Sequence, residues 1–161
     1  MAFIALGSNL GDSRRTVLEA MDRLQQFSDE PLLRSSLWQT SPVFCPAGSP
    51  DFVNAVVGLV PARNETPESL LTRLLALEKE FGRKPKKMPN EPRPLDLDLI
   101  VFGNTLRESP ELILPHPRAH LRKFVLLPLN EIAPGLVLPL QAESVSQLAE
   151  RLATDEALIK L

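Results

Sequence analysis

The stretch from Pro92 to Phe102 constrains the fold most strongly, because it places two acidic residues inside an apolar strand pattern. Apolar residues occupy most positions from 95 to 102, and Gly103 then opens a turn, so a β-strand is predicted over 95–102. Successive side chains of a strand point to opposite faces. Asp96 and Asp98 are therefore expected on one face, and the leucines beside them on the opposite, core face.

Two carboxylates at this spacing suit divalent cations. Their Cα atoms would lie about 6.5 Å apart at the rise of a strand. Both side chains could then bind one or two hard cations such as Mg²⁺. The alternative is an antiparallel sheet with one face in water, on which Asp96 and Asp98 are simply solvated. The acid pair alone leaves both interpretations open.

The size and charge of the chain narrow the possible functions. A length of 161 residues fits one domain. The 18 Lys and Arg against 20 Asp and Glu offer no general attraction to nucleic acid or to an anionic membrane. Cys45 is the only cysteine, which excludes an internal disulfide and a thiolate metal cluster. With no apolar run near the roughly 20 residues of a membrane span, these features predict a cytoplasmic monomer.

The order of the periodic segments predicts an α+β fold. Strand and helix patterns follow one another as strand, helix, strand, strand, helix, strand, which is the split βαβ order of ferredoxin-like sandwiches with an antiparallel sheet. Sixteen prolines, many of them in 42–50, 85–94 and 110–117, predict long loops that carry function. The predicted strands are 2–6, 32–40, 52–60 and 95–102, and the predicted helices are about 13–27 and 66–81.

The last third of the chain predicts smaller elements. Leu106 is expected to begin a strand that returns along 95–102 after a hairpin turn. A helical stretch at 118–133 is expected to be interrupted near Pro128. A weak strand at 136–138 and a last helix at 144–153 complete the prediction.

The loop before the acid pair is basic, and this combination favours phosphate chemistry. Lysines and arginines recur from Arg83 to Arg93. In phosphoryl transfer, carboxylates hold Mg²⁺, the metal bridges phosphate oxygens, and arginine forks neutralise charge. The chain has neither a P-loop nor a Rossmann glycine motif, so side chains would have to hold the phosphates. The alternative is a solvated, charged connector.

Two further residues are candidates from their positions. Glu78 falls on the apolar stripe of the second predicted helix, where an acid needs a partner unless it lies at the stripe's edge and reaches solvent. His116 lies between two prolines that restrict its backbone and could aim its ring, although a lone histidine is more often structural.

Five motifs, in this order along the chain, resemble the 6-hydroxymethyl-7,8-dihydropterin pyrophosphokinase family. They cover about residues 2–140. They are Ala5-Leu6-Gly7-Ser8-Asn9-Leu10-Gly11, Ser41-Pro42 with Phe52-Val53-Asn54-Ala55, Glu78 with Gly82-Arg83, Pro92-Arg93-Pro94-Leu95-Asp96-Leu97-Asp98, and Pro115-His116-Pro117-Arg118 with Arg122 and Phe124. The resemblance implies transfer of a diphosphate from ATP to a pterin alcohol in folate biosynthesis, with ATP as co-substrate and two Mg²⁺ ions.

The resemblance also implies a role for each matching residue. Asp96 and Asp98 would bind the two Mg²⁺ ions and, with Arg83 and Arg93, form the catalytic group. The implied pterin-binding residues are Gly7, Ser41, Pro42, Phe44, Phe52, Asn54 and Phe124, with the ring stacked between Phe52 and Phe124. The implied ATP-binding residues are Glu78, Arg83, Lys84, Arg93, Leu99, Ile113, His116 and Arg122.

Two other functions are compatible with the residues. A non-catalytic ferredoxin-like module could bind a small ligand without using the acid pair or the basic loop. A metal-dependent phosphohydrolase, such as a nuclease or phosphatase, would use the acid pair but has no need of Phe52, Asn54 and Phe124.

Overall fold

The computed structural model describes residues 1–41, 48, 50–83, 94–154 and 156–161. None of its helices is long and apolar enough to cross a membrane. In chain order the strands are β1 (Ala2–Ser8), β2 (Leu33–Arg34), β3 (Trp38–Thr40), β4 (Phe52–Leu59), β5 (Asp96–Phe102), β6 (Arg107–Glu108), β7 (Ile113–Leu114) and β8 (Leu158–Lys160). The α-helices are α1 (Ser13–Leu24), α2 (Pro67–Glu80), α3 (Lys123–Ile132) and α4 (Val145–Arg151), and short 3-10 helices cover Gln25–Phe27 and Ala119–Leu121.

One antiparallel sheet organises these elements and confirms the predicted α+β fold. Its strands lie in the order β5-β1-β4-β3-β8, with β2 also paired to β4. If the four predicted strands (2–6, 32–40, 52–60 and 95–102) are numbered in chain order, they lie in the order 4-1-3-2 across the sheet. This order interleaves two βαβ units. The strand predicted over 32–40 is divided at Ser35, whose hydroxyl accepts the Val56 N–H at 2.9 Å. A side chain thus replaces a backbone acceptor there, and β2 and β3 are separate strands.

Helices pack against both faces of the sheet. α1 and α2 cover one face, where Leu95 is fully buried and Leu97 and Leu99 are each 4% exposed. The leucine side of β5 is therefore core, as predicted. α3 and α4 cover part of the opposite face, around Phe3 and Val56. The two acids of β5 belong to this second face.

A register shift changes the side-chain alternation of β5. Phe3 and Ile4 of β1 pair with Val101 and Leu99, so Ile100 is an extra residue in the ladder. Ile100 and Val101 consequently both pack in the core under α3 and α4, where strict alternation predicts only one of them. This face of β5 is apolar at its C-terminal end and acidic at its N-terminal end.

The predicted signals at both ends of α2 act as expected. Thr66 Oγ1 accepts the Ser69 N–H at 3.0 Å, and Ser69 Oγ accepts the Thr66 N–H at 2.9 Å, which forms a capping box. Pro67 occupies the first helical turn. Beyond the helix, Gly82 adopts a φ of 92°, a left-handed conformation that commonly ends helices. This turn directs Arg83 back toward β5.

Several predictions for the last third of the chain are wrong. The segment after Gly103 does not return along β5, because β6 pairs with β7 in a separate two-stranded sheet. α3 runs through Pro128, which is buried, and the break falls at Arg122 instead. Residues 136–138 form a single bridge, Val137 to Ser144, rather than a strand.

The sequence does not predict β8, which pairs antiparallel with β3 and is also contacted by the carboxylate of Glu131 on α3. Oε1 accepts the Trp38 Nε1–H at 2.7 Å and the Ser36 N–H at 3.1 Å, while Oε2 accepts the Ser36 hydroxyl at 2.7 Å and lies 3.3 Å from Lys160 Nζ. Partial burial acts to raise the pKa of Glu131, but the bonds from Ser36, Trp38 and Lys160 hold it below its ordinary value. One carboxylate thus joins α3, β3 and β8.

We expect Glu131→Ala to lower the free energy of unfolding by about 2 kcal/mol near neutral pH, because several donors lose a charged acceptor. Since the folded pKa is depressed, this stabilisation is present above the ordinary carboxyl pKa and is lost as the pH falls through the folded value. Urea unfolding at about pH 7 and about pH 3 measures the difference between variant and wild type, which should shrink in acid.

The matched control is Glu19→Ala, which removes an exposed carboxylate paired with Arg15 at 2.8 Å. It should cost less than about 0.5 kcal/mol. A difference for Glu131→Ala that is the same at both pH values would contradict the role given to the charged carboxylate.

Candidate functional site

Strand pairing brings three predicted site residues into one row across the sheet. Gly7 of β1 pairs with Asp96 of β5 on one side and with Asn54 of β4 on the other. Directly paired residues of neighbouring strands present their side chains on the same face. At a strand spacing of about 4.8 Å, the Cα atoms of Asp96 and Asn54 lie about 10 Å apart. A predicted metal ligand and a predicted pterin ligand thus share one face.

Gly7 leaves space between these two side chains. A Cβ atom at this position would lie 3.1 Å from Asn54 Oδ1 and 3.8 Å from Phe52 Cδ1. The first contact is tight enough that even an alanine would press on the Asn54 amide. The Gly7 backbone, Phe52 and Asn54 therefore adjoin one another, which fits three of the predicted pterin-binding positions.

Asn54 is held by Thr40, a residue that the sequence analysis did not single out. Thr40 Oγ1 accepts a hydrogen bond from Asn54 Nδ2 at 2.9 Å, and both side chains are about 5% exposed. The amide nitrogen therefore faces β3, while Oδ1 faces Gly7. In the sequence, the position of Thr40 next to the predicted site residue Ser41 could have pointed to it. Its burial is evident only from the structure.

The acid on the apolar stripe of α2 binds the edge of the sheet. β5 is an edge strand, and its Leu97 N–H donates to Glu78 Oε2 at 2.7 Å. Arg83 Nη1 donates to the same oxygen at 3.2 Å and to Asp96 Oδ1 at 2.6 Å. The protein itself thus supplies the partners that the position of Glu78 requires. We call this arrangement the Glu78–Arg83–Asp96 cluster.

Partial burial gives this cluster its electrostatic character. Burial raises the pKa of Glu78. The hydrogen bond from the Leu97 N–H and the charge of Arg83 lower this pKa, but burial has the larger effect. Burial acts to lower the pKa of Arg83, but the bond to Asp96 and the charges of the nearby carboxylates raise it overall. The side chains of Arg83 and Asp96 are 19% and 25% exposed, so solvent and salt screen this pair less than a surface pair.

A cleft of about 340 Å³ opens beside the cluster, which is the size of a small-molecule site. Leu71 and Leu75 of α2, which the sequence analysis did not select, contribute apolar surface to its wall. The wall also contains seven residues of the predicted catalytic and ATP-binding sets: Glu78, Arg83, Asp96, Asp98, Leu99, Ile113 and His116.

His116 supplies an uncharged donor to this cleft. The backbone N–H of His116 donates to the Ile100 carbonyl at 2.8 Å. The ring Nδ1 accepts the backbone N–H of Arg118 at 3.2 Å. Burial lowers the pKa of His116 to about 4, and the charges of Arg122 and Arg118 act in the same direction. The ring is therefore neutral near neutral pH, and its remaining proton is on Nε2.

The start of α3 brings a cation and an aromatic ring together, as predicted. Arg122 precedes the helix, and its Cζ lies 5.3 Å from the centroid of the Phe124 ring, within cation–π range. Phe124 packs on the core under α3 and α4, which is the face that carries Asn54 and Phe52. Both predicted stacking residues therefore lie on the acidic face of the sheet.

The oxygen donors of β5 fit a hard cation that is bound together with phosphates. No group of three or more His, Cys, Asp or Glu side chains suited to a metal occurs in the described part of the chain. Mg²⁺ typically takes one or two carboxylates and completes its shell with water and substrate phosphate oxygens. Asp96 and Asp98 match this donor set, because both line the cleft on one strand.

Four of the predicted site residues, Pro42, Phe44, Lys84 and Arg93, lie outside the described residues. Ser41 is described, and it lies exposed directly after β3. The roles predicted for these five residues stay predictions, as do the roles predicted for the other site residues.

A family model described as 7,8-dihydro-6-hydroxymethylpterin-pyrophosphokinase (HPPK) matches residues 3–134. The chain belongs to this family. A Haemophilus influenzae protein named 2-amino-4-hydroxy-6-hydroxymethyldihydropteridine pyrophosphokinase is 38% identical over 163 residues, covering 99% of this chain and 97% of that protein. A Pseudomonas aeruginosa protein of the same name is 39% identical over 137 residues, covering 85% of this chain and 83% of that protein.

Solved structures described as HPPK-DHPS share the fold of this HPPK-family chain. Wild-type Plasmodium falciparum HPPK-DHPS with pteroate gives a TM-score of 0.70 at 13% identity over 93% of this chain. An HPPK-DHPS in complex with substrates gives 0.71 at 14% identity over 92%. This chain spans 42% of each of those proteins, and at such identity the likeness supports the fold alone.

Membership in the HPPK family confirms the resemblance predicted from the five motifs. The chain is accordingly a pyrophosphokinase, the enzyme class predicted from its sequence. The family match ends at residue 134, so α4 and β8 lie beyond it.

We expect the His116 ring of this HPPK-family chain to remain neutral, with the proton on Nε2, down to about pH 5. Because its folded pKa of about 4 is below the ordinary 6.5, the unfolded chain binds a proton first, and stability falls as the pH decreases from 6.5 toward 4. A ¹⁵N NMR titration of the histidine rings measures the midpoint and the tautomer.

A His120→Gln variant assigns the two histidine signals. His116→Gln should remove the His116 contribution to the loss of stability between pH 6.5 and 4. A titration midpoint near 6.5 for His116 would contradict the buried, neutral ring.

Proposed function

We propose that this member of the HPPK family transfers the terminal diphosphate of ATP to the hydroxymethyl oxygen of 6-hydroxymethyl-7,8-dihydropterin, with release of AMP. The observation that carries the proposal is the row Asp96, Gly7, Asn54. This row supports the proposal because Asp96, which could bind a metal, and Asn54, which could bind a flat heterocycle, lie on one face about two strand spacings apart.

The phosphate half of the site is assigned to the cleft beside β5. Asp96 and Asp98 would hold two Mg²⁺ ions, which neutralise phosphate charge and orient the β-phosphorus when they are bound. The guanidinium of Arg83 has five N–H donors. Because Nη1 donates to both acids, the other two nitrogens can donate to a phosphate. His116 would donate from Nε2 without adding charge, and Arg122 would add a cation at the start of α3.

Two further assignments complete the nucleotide site. Leu99 and Ile113, on the wall of the cleft, would contact the adenine side of ATP, with apolar surface from Leu71 and Leu75 nearby. Lys84 and Arg93 would bind phosphate, an assignment that rests on the family motif because both lie outside the described residues.

The pterin half of the site is assigned to Asn54 and the residues around it. The amide presents an acceptor and a donor, which complement the donor and acceptor edge of a pterin. Phe52 and Phe124 would stack on the two ring faces and exclude water. Gly7, with Ser41, Pro42 and Phe44 from the loop after β3, would line the remainder through backbone groups.

In the proposed reaction the hydroxymethyl oxygen forms a bond to the β-phosphorus. The bond between this phosphorus and the oxygen bridging it to the α-phosphate breaks, AMP takes the electron pair, and the hydroxyl proton passes to solvent. Rate enhancement would come from in-line positioning and from charge neutralisation by Arg83 and Arg93, with no protein base assigned.

Incubation with ATP, Mg²⁺ and 6-hydroxymethyl-7,8-dihydropterin tests the proposal against its rivals. Stoichiometric AMP and pterin diphosphate support it. Release of ADP or phosphate would favour a metal-dependent phosphohydrolase, and no turnover would favour a non-catalytic ligand-binding module. The predicted cytoplasmic location and monomeric state stay predictions.

We predict that Asp96→Asn and Asp98→Asn each reduce AMP formation by at least about 100-fold, because a metal ligand that acts at the developing charge is lost. Pterin binding should change little, since Asn54 and the aromatic residues are untouched. AMP formation and pterin fluorescence quenching measure the two effects separately.

Asp22→Asn is the matched control, because it neutralises an exposed aspartate, 73% accessible, that is paired with Arg34 at 2.9 Å. Its activity should equal that of the wild type. Wild-type turnover in either β5 variant would remove the metal assignment, whereas equal loss in all three variants would point to a general charge effect.

A further inference from the structure

In the Glu78–Arg83–Asp96 cluster, two carboxylates share one guanidinium nitrogen. Arg83 Nη1 lies 2.6 Å from Asp96 Oδ1 and 3.2 Å from Glu78 Oε2. Both acids line the cleft; the shorter contact is with the acid on β5, and the longer one is with the acid on α2. A small rotation of the arginine side chain would shorten the second contact and lengthen the first.

Glu78 is fixed in place without the help of Arg83. Its Oε2 accepts the Leu97 N–H at 2.7 Å, and Leu97 belongs to β5, whose other edge is paired with β1. The Glu78 side chain is only 8% exposed. It therefore offers Arg83 a second charged acceptor that is anchored to β5 through the Leu97 N–H.

Arg83 and a cation compete for the carboxylate of Asp96, because Asp96 is the proposed Mg²⁺ ligand. A guanidinium bonded to a carboxylate oxygen competes with a metal for that oxygen. A partly buried guanidinium that loses its charged partner is costly, since its desolvation is no longer offset. Arg83 can therefore yield Asp96 to a cation at low cost only if another carboxylate receives it.

We propose that Glu78 is a positioning residue that receives Arg83 when Asp96 binds a divalent cation. The inference rests on the function proposed above, because it takes Asp96 as a metal ligand. In this role Glu78 touches neither the cation nor the nucleotide. It sets the cation affinity of Asp96 through Arg83, which differs from the direct ATP contact predicted from the sequence.

The experiment is a titration of the full chain with Mn²⁺, followed by EPR, in the absence of nucleotide, so that water completes the shell of the bound ion. If the wild type binds no Mn²⁺ under these conditions, the inference is overturned. Glu78→Gln keeps an oxygen acceptor for the Leu97 N–H but removes the charge that competes with Asp96 for Arg83. We expect its Mn²⁺ dissociation constant to rise about tenfold, the equivalent of one charged hydrogen bond.

Arg83→Met should change the affinity in the opposite direction. This substitution removes the competing guanidinium, so Mn²⁺ should bind about tenfold more tightly than to the wild type. On the Arg83→Met background, Glu78→Gln should then change the affinity by less than about twofold. If Glu78 acted only by its negative charge, the tenfold loss would persist in the double variant and the inference would be overturned.

Glu68→Gln is the matched control, because it makes the same change on the same helix. Glu68 pairs with Arg107 at 3.0 Å and is 56% exposed. Its Mn²⁺ affinity should equal that of the wild type, and thermal unfolding of each variant checks that the fold is intact. A tenfold loss in Glu68→Gln as well would overturn the assignment to Glu78.

A parallel readout separates this inference from the proposed function. In steady-state assays Glu78→Gln should raise the Mg²⁺ concentration for half-maximal AMP formation, with the pterin KM unchanged. If the wild type forms no AMP, the proposed function fails. If it forms AMP while Glu78→Gln binds Mn²⁺ as the wild type does, the function stands and the positioning role is wrong.

Discussion

The pairing of β1 with β5 on one side and with β4 on the other is the constraint on which the site depends. It sets Gly7 opposite Asp96 and Asn54 in one row, and the missing side chain of Gly7 leaves room for the Asn54 amide. A shift of either register by one residue would turn Asp96 or Asn54 into the leucine-rich core. The burial of Leu95, Leu97 and their neighbours under α1 and α2 therefore fixes the geometry of the active face.

The second requirement is an edge strand that ends in acids. An exposed edge has unsatisfied N–H groups. Glu78 satisfies one of them by accepting a hydrogen bond from the Leu97 N–H. The same carboxylate also anchors Arg83, which in turn bonds Asp96. One buried acid thus protects the edge of the sheet and organises the proposed phosphate site. This explains why Glu78 lies on the apolar stripe of α2, a position that would otherwise be unfavourable for a carboxylate.

The sequence predicts the frame of this molecule better than its C-terminal part. Strand alternation and helix capping signals identify β1, β4, β5, α1 and α2, and motif order identifies the family. Three features depend on tertiary contacts that no local pattern encodes. β8 is three residues long and takes its place in the sheet by pairing with β3. Pro128 is buried within α3, at a position where the local pattern predicts a break. Thr40 becomes a partner of Asn54 only when β3 and β4 pair.

The central claim is that a cation on Asp96 and Asp98 lies next to the reacting end of a pterin held by Asn54. Paramagnetic relaxation by bound Mn²⁺, measured on the protons of a bound 6-hydroxymethylpterin with a non-hydrolysable ATP analogue present, tests it directly. Bound Mn²⁺ is expected to relax the hydroxymethyl protons most strongly, and Asp96→Asn should abolish the effect while the pterin still binds. Weak relaxation of the hydroxymethyl protons, or strong relaxation that survives Asp96→Asn, would contradict it.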